Sequence, residues 1–244
     1  MIAQTFVTTT SSYRSAGRAA MISGALGLIA YGFLLTAVLT RDSWVLSDFV
    51  HAMFVSHDVG VILQFVFMVP VLYGIQKLSQ KQGAGIGHTT LRVGIGALLL
   101  TALFSALGTV KIISDGYYTM PLLVLGVWLM IVNRRLLGTL PRLLCWFGMI
   151  IGLGLVVFGS FLPGYAIFVD TMILRIPPID MATYPMPPMN PANIFLHKLI
   201  WVGAIMGVAP FPIWTILVGR QLLREDRSAL QDEVIQSTYK TTIL

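Results

Sequence analysis

The chain has 244 residues, 56% of them hydrophobic and only 11% charged, with a mean hydropathy of +0.83. A soluble domain carries about 25% charged residues, so this chain lacks the polar side chains to coat a globular surface, and lipid must solvate much of it. The net charge is +6 and the pI about 9.7, but the basic residues sit at the ends of apolar runs. That placement is how a membrane protein fixes its orientation rather than how a protein builds a nucleic-acid face, and nucleic acid is not an expected partner.

The first 18 residues are polar, with Arg14 and Arg18 just ahead of an apolar run over 19–40. A secretory signal core is shorter, about 7–15 residues, so the run is expected to be a retained first helix. Further runs follow at 51–75, 93–113, 117–132, 143–162 (with a possible extension to 169) and 196–218. Each approaches the length that crosses about 30 Å of hydrocarbon at 1.5 Å per residue. They lack the alternation of barrel strands, so they are predicted to be α-helices, the other way to satisfy a backbone in lipid. The expected fold is all-α: a polytopic bundle of six transmembrane helices over 19–219, with an N-terminal segment 1–18 and a tail 220–244.

The charges between the runs alternate. Arg14, Arg18, Lys77, Lys81, Arg92, Arg134, Arg135, Arg142, Arg220, Arg224, Arg227 and Lys240 fall in one set of connections, and only Arg41, Lys111, Arg175 and Lys198 in the other. The positive-inside rule then predicts six crossings with both termini cytoplasmic. Asp42, Asp48, Asp58, Asp115, Asp170 and Asp180 all fall on the predicted outer side, and Trp44, Tyr117, Tyr118, Tyr165, Tyr184 and Trp146 mark the interfaces. Membrane lipids are the expected surroundings, with anionic headgroups against the basic rim.

Within the runs, Gly148/Gly152 and Gly203/Gly207 have the four-residue spacing that lets helix backbones approach, read here as packing inside the chain. Pro70, Pro210 and Pro212 should kink or break the second and sixth helices. Cys145, the single cysteine, can form no intrachain disulfide and is expected to be an inert packing residue. The Gly83–Gly87 stretch, GAGIG, has no strand-turn-helix context and reads as a turn, not a nucleotide loop. The outer loop, 164–195, is unusually long and rich in Pro and Met. It is expected to be an ordered flap over the outer ends of the second and sixth helices, with a short interfacial helix over 166–174.

Four stretches carry a family resemblance: YRSAGRAAMISGALGLIAYG from Tyr13, HTTLRVGIGALLL from His88, NRRLLGTLPRLLCWFGMIIGLGLV from Asn133 and WTILVGRQLL from Trp214. In order and spacing across 13–224 the chain resembles the bacterial six-helix membrane proteins grouped as domain of unknown function 4386. The resemblance implies a six-helix fold in a bacterial inner membrane. It implies no activity and no catalytic residue, and the long Pro/Met loop departs from the shorter connection usual there.

Ionisable groups at membrane depth are functional candidates by default. Asp48, His51 and Asp58 fall on similar faces of the second helix, His57 points elsewhere at 100° per residue, and His197 opens the sixth. Three uses compete. Asp58 could simply pair with Lys111, Lys198 or Arg175. A polar outer pocket could bind a hydrophobic or amphipathic small molecule through Asp58, Gln64, Asp170, Tyr184 and His197. Or His57, Asp58, His51 and His197 could act as acid, base or metal ligands in an enzyme. His51, His57 and His197 suit zinc, iron or copper, and Met181, Met186 and Met189 suit Cu(I), although the methionines equally suit contact with lipid. No H-E-x-x-H spacing or G-x-S-x-G elbow is present, and no cofactor is specified. The leading expectation is a non-catalytic membrane protein that binds such a ligand or serves as a subunit of a membrane complex. A membrane-embedded enzyme comes second, and a transporter third, since no inverted repeat or pair of broken helices is evident.

Overall fold

A computed structural model of the chain describes residues 3–40, 47–81, 83, 85–176 and 190–242, with 3–12, 47, 229, 230 and 232–242 described in backbone only. The helices are α1 (Ala3–Thr40), α2 (Ser47–Lys81), α3 (His88–Thr109), α4 (Thr119–Arg135), α5 (Arg142–Gly159), α6 (Phe161–Phe168), α7 (Pro191–Gly203) and α8 (Phe211–Thr242). Six helical segments are long and apolar enough to cross a membrane, Tyr13–Thr40, Asp48–Lys81, His88–Thr109, Asp115–Arg135, Arg142–Phe168 and Pro191–Ser228. The chain is thus an all-helical, multi-pass membrane protein, without strands among the described residues.

Each span packs on its neighbour in sequence, and α8 returns to α1, so the six spans close into a ring. One end of the ring gathers the basic connections around Lys81, Arg135 and Arg142, and the other holds Asp58, Lys111 and Asp115. They are the basic end and the acidic end of the ring.

Local chemistry sets the helix ends. Gly83 and Gly85 in the α2–α3 turn adopt φ of 72° and 61°, left-handed values that glycine reaches without a Cβ clash. Ile86 N–H then donates to Ser79 Oγ at 3.0 Å. At α7, Asn190 caps by accepting from Asn193 N–H at 2.8 Å, and Pro191 occupies the first turn, where its missing N–H costs nothing. Interior prolines behave differently from one another. The second helix runs on through Pro70, whereas the sixth span breaks into a π-turn, Ala204–Val208, with Ala209 N–H donating to Ala204 O at 2.9 Å. Pro210 and Pro212 follow that turn directly. Pro212 offers no N–H to the carbonyl four residues back, Val208, and Tyr31 Oη donates to that oxygen instead at 2.6 Å.

The small residues form seams inside the chain. A Cβ on Gly126 or Gly152 would run into the facing backbone of α5 or α4, and Gly154 and Gly207 meet in the same way across α5 and the π-turn. Gly203 packs on Phe158, and Gly148 on the Asn133 side chain. Close approach of this kind stabilises helix pairs in lipid, where no hydrophobic force separates helix from solvent.

Toward the basic end the ring is filled by a packed apolar core. Met68, Leu72, Ile75, Leu98, Leu125, Leu129, Ile151 and Trp214 are fully buried in one continuous cluster. Trp128 joins it, its indole N–H donating to Thr90 O at 2.7 Å and its ring lying over Gly94, where a Cβ would collide with it. Beyond α5 the chain turns into α6 and a 3-10 turn, Thr171–Leu174. The interfacial helix expected over 166–174 therefore begins earlier and is interrupted at Val169 and Asp170. The flap core, 177–189, lies outside the described residues. The tail is helical to Thr242.

Candidate functional site

At the acidic end the ring is hollow, enclosing a cavity of about 420 Å³ walled by side chains from all six spans. Tyr31 and Leu34 come from α1, Ser105, Gly108 and Thr109 from α3, and Leu155 from α5. Val208 and Phe211 come from the π-turn and the start of α8, while Tyr118 and Leu122 come from the head of the fourth span. The second helix supplies the largest share of the wall through His51, Phe54, Val55, His57, Asp58, Val61, Gln64 and Phe65. From His51 to Gln64 these residues descend roughly 20 Å at 1.5 Å per residue. One turn beyond the lining on five of the spans lie Met68, Thr101, Leu125, Ile151 and Trp214, all fully buried.

Polarity grades with depth. At the mouth Lys111 Nζ bonds Asp115 Oδ2 at 2.7 Å, both side chains being mostly exposed. Lys111 holds φ of 59°. It closes α3 in a Schellman arrangement, Lys111 N–H donating to Gly108 O at 2.8 Å and Ile112 N–H to Leu107 O at 3.0 Å. That position ordinarily takes glycine, and a lysine there stores backbone strain of about 1–2 kcal/mol. One turn inward, His57 Nδ1 and Asp58 Oδ1 are 3.0 Å apart, and Thr109 Oγ1 donates to Asp58 Oδ2 at 3.1 Å. The His57 ring sits 6.4 Å from the Tyr31 ring. Deeper still, the lining is apolar apart from Ser105 and Gln64, with Phe65 and Phe211 stacked at 6.0 Å. Gln64 is 2% exposed, and its Nε2 has no hydrogen-bond partner. Leaving such an amide N–H without a partner costs about 1–3 kcal/mol.

No family model, curated protein or solved structure matches this chain.

The structure brings His51, His57, Asp58 and Gln64 into one cavity. Helical spacing places His57 about 100° from Asp58 and so predicts that it points elsewhere, yet it faces the hollow and pairs with Asp58. The reason is tertiary: α1 and α3 flank α2 on both sides, so a wide arc of α2 faces inward, and the imidazole turns to the adjacent carboxylate. Of the cations expected to pair with Asp58, Lys111 goes to Asp115 instead. His197 is exposed on α7, its Nδ1 2.9 Å from Asn193 O and its ring edge-on to Phe161, and it does not line the cavity. Asp170 caps the 3-10 turn, accepting from Met172 N–H at 2.9 Å, and also lies outside the lining. Tyr184, Met181, Met186 and Met189 lie outside the described residues. Among the described residues no three His, Cys, Asp or Glu side chains converge to hold a metal ion.

Sequence reasoning missed Tyr31, Ser105, Thr109 and Tyr118. A signal for two of them existed: Thr101, Ser105 and Thr109 recur at four-residue spacing, a polar stripe on an otherwise apolar helix that must face a partner or a cavity. Tyr31 carried no such signal, because its partner is 177 residues away.

Proposed function

We propose that this protein binds one small amphipathic molecule in the hollow at its acidic end. The observation that carries the proposal is the cavity itself: six spans enclose it, its lower walls are apolar, and its upper wall holds His57, Asp58 and Thr109. Its size falls within the roughly 300–1,000 Å³ of small-molecule pockets, and a largely apolar lining with a few placed polar groups is what such sites share. Hydrocarbon would fill the lower part, and a polar group would reach the carboxylate and hydroxyl above.

The test is native mass spectrometry of the full chain extracted from membranes. A single small adduct per chain is expected, lost when Val61→Trp fills the hollow. Annular phospholipid alone, unchanged in the variant, would refute binding.

We propose further that the acidic end faces outward and that both termini are cytoplasmic, in a bacterial inner membrane. The clustering of basic residues at the opposite end supports this, as does the resemblance over 13–224 to the six-helix family named above. Gln80→Cys and Gly138→Cys, made with Cys145 replaced, should be shielded from an impermeant maleimide added to intact cells. Labelling of both would reverse the orientation.

One feature favours a second reading, a membrane-embedded enzyme. With His57 Nδ1–H held by Asp58, the other ring nitrogen is left as a proton acceptor, the arrangement of a general base. Under that reading the molecule bound to wild-type protein is a product, and the molecule bound to His57→Gln is its unconverted precursor. Identical masses in the two would discard the enzyme.

A further inference from the structure

We propose that the ligand of the hollow is a lipophilic cation, a protonated amine on a hydrocarbon body, and that Asp58 receives its charged end. The inference rests on the binding proposed above and adds the charge and direction of the bound molecule.

Asp58 lies inside the Asp48–Lys81 span and lines the cavity. A carboxylate at membrane depth is costly unless a cation pairs with it. Among the described residues no lysine or arginine does so, since Lys111 bonds Asp115 and Asp58 has only the His57 imidazole. Lys111 is also the one lysine or arginine in the lining, so Asp58 leaves the wall with an excess negative charge. Its oxygens are not used up. Oδ1 lies 3.0 Å from His57 Nδ1 and Oδ2 accepts from Thr109 Oγ1 at 3.1 Å, one donor each, whereas a carboxylate has room for about four. The side chain is 37% exposed, so the carboxylate is open to the hollow rather than sealed in protein.

The groups around Asp58 favour a positively charged donor over other heads. With His57 Nδ1–H held by Asp58, the other ring nitrogen is an acceptor. The single Thr109 hydroxyl hydrogen is taken by Asp58 or by Ser105 O at 2.9 Å. This part of the wall therefore offers acceptors, to which an ammonium N–H donates. A carboxylate or phosphate would meet Asp58 as a like charge. Tyr31, Phe54, Phe65, Tyr118 and Phe211 line the same space, and the face of an aromatic ring attracts an organic cation. A bare metal ion is poorly served, because no three His, Cys, Asp or Glu side chains converge among the described residues. Below Asp58, Val61, Leu122 and Leu155 would bury the hydrocarbon body.

The test uses the purified full chain in a neutral maltoside detergent near neutral pH, with two probes of matched hydrocarbon. One is phenylbutylamine, a cation under those conditions, and the other its uncharged counterpart phenylbutanol. Binding is followed by titration calorimetry and corrected against protein-free micelles. The wild type should bind the amine about tenfold more tightly than the alcohol, the scale of one charge-assisted hydrogen bond with aromatic faces beside it. In Asp58→Asn, which keeps the shape and an acceptor for Thr109, that preference should vanish while the alcohol still binds. Asp58→Ser serves if the asparagine variant does not fold, and the wild-type preference decides by itself if neither does. Equal binding of both probes by the wild type, or a preference that survives in Asp58→Asn, would overturn the assignment of Asp58 and leave ligand binding standing. Binding of neither would remove both.

Discussion

The two ends of the ring are built from the same six helices and differ in what those helices turn inward. Toward the basic end, large apolar side chains and glycines dominate, with Gln76, Asn133 and Thr215 buried singly among them. Trp128 fits over Gly94, Gly126 meets Gly152, and Trp214 closes the centre. Toward the acidic end, the same helices turn Tyr31, His57, Asp58, Gln64, Thr109 and Tyr118 toward one another around a hollow. In lipid, contact between helices comes mainly from close packing and hydrogen bonds. The basic half therefore supplies the cohesion, and the acidic half can leave space open without losing the fold. Strain follows the same division: the one non-glycine residue with positive φ among the described residues, Lys111, stands at the mouth of the hollow, and backbone strain tends to collect at functional sites.

The sharpest way to break this comparison is at a seam of the solid half. Gly154→Leu would drive a side chain into the backbone of Gly207, and overpacking that neither helix can relieve should cost about 3 kcal/mol or more. Size-exclusion chromatography in detergent should show loss of the monodisperse protein. A variant as stable as wild type would mean that the seam is loose.

A matched pair comes next. Leu129→Trp in the solid half should cost about 1–3 kcal/mol, whereas Val61→Trp in the hollow should change the thermal midpoint little, because the indole has space to enter. Equal losses would mean that the hollow is no more open than the core.

Tyr31→Phe probes the bridge between the halves. It removes the donor to Val208 O, the carbonyl that Pro212 leaves without an amide. Membrane hydrogen bonds are individually modest, so a loss of about 1 kcal/mol is expected, read as a lower midpoint and faster hydrogen exchange in the π-turn. No change in either would show that water replaces the phenol freely.

The smallest effect should be a gain. Lys111→Gly relieves the left-handed strain and gives up an exposed ion pair of little worth, for a net stabilisation of about 1 kcal/mol or less. If ligand binding weakens as stability rises, the strain at the mouth serves the site.

Much of the fold was legible in the sequence because lipid imposes one rule on every span: enough apolar residues in helical form, with polar groups at the ends. That rule is local, so runs such as 93–113 and 143–162 could be read one at a time, and the ends shifted by only a few residues. Helix α1 extends well ahead of residue 19 because its polar first turns belong to the same rod, which hydropathy cannot detect. The candidate site was legible only in part. Asp58, His51 and Gln64 stood out as polar residues in an apolar run, and His57 was assigned to the wrong direction because helix spacing ignores what flanks the helix. His197 looked equivalent to the others in sequence, and packing set it apart.

From its residues alone, then, this chain specifies six apolar helices, the end of each that carries the positive charge, and the points at Gly83, Gly85, Pro210 and Pro212 where the backbone must turn or break. Only the tertiary arrangement decides that the sixth span closes on the first, that Tyr31 meets Val208, and that Gln64 faces a cavity. Hydropathy and turn chemistry act over a few neighbouring residues, whereas a cavity is defined by which faces of distant helices meet.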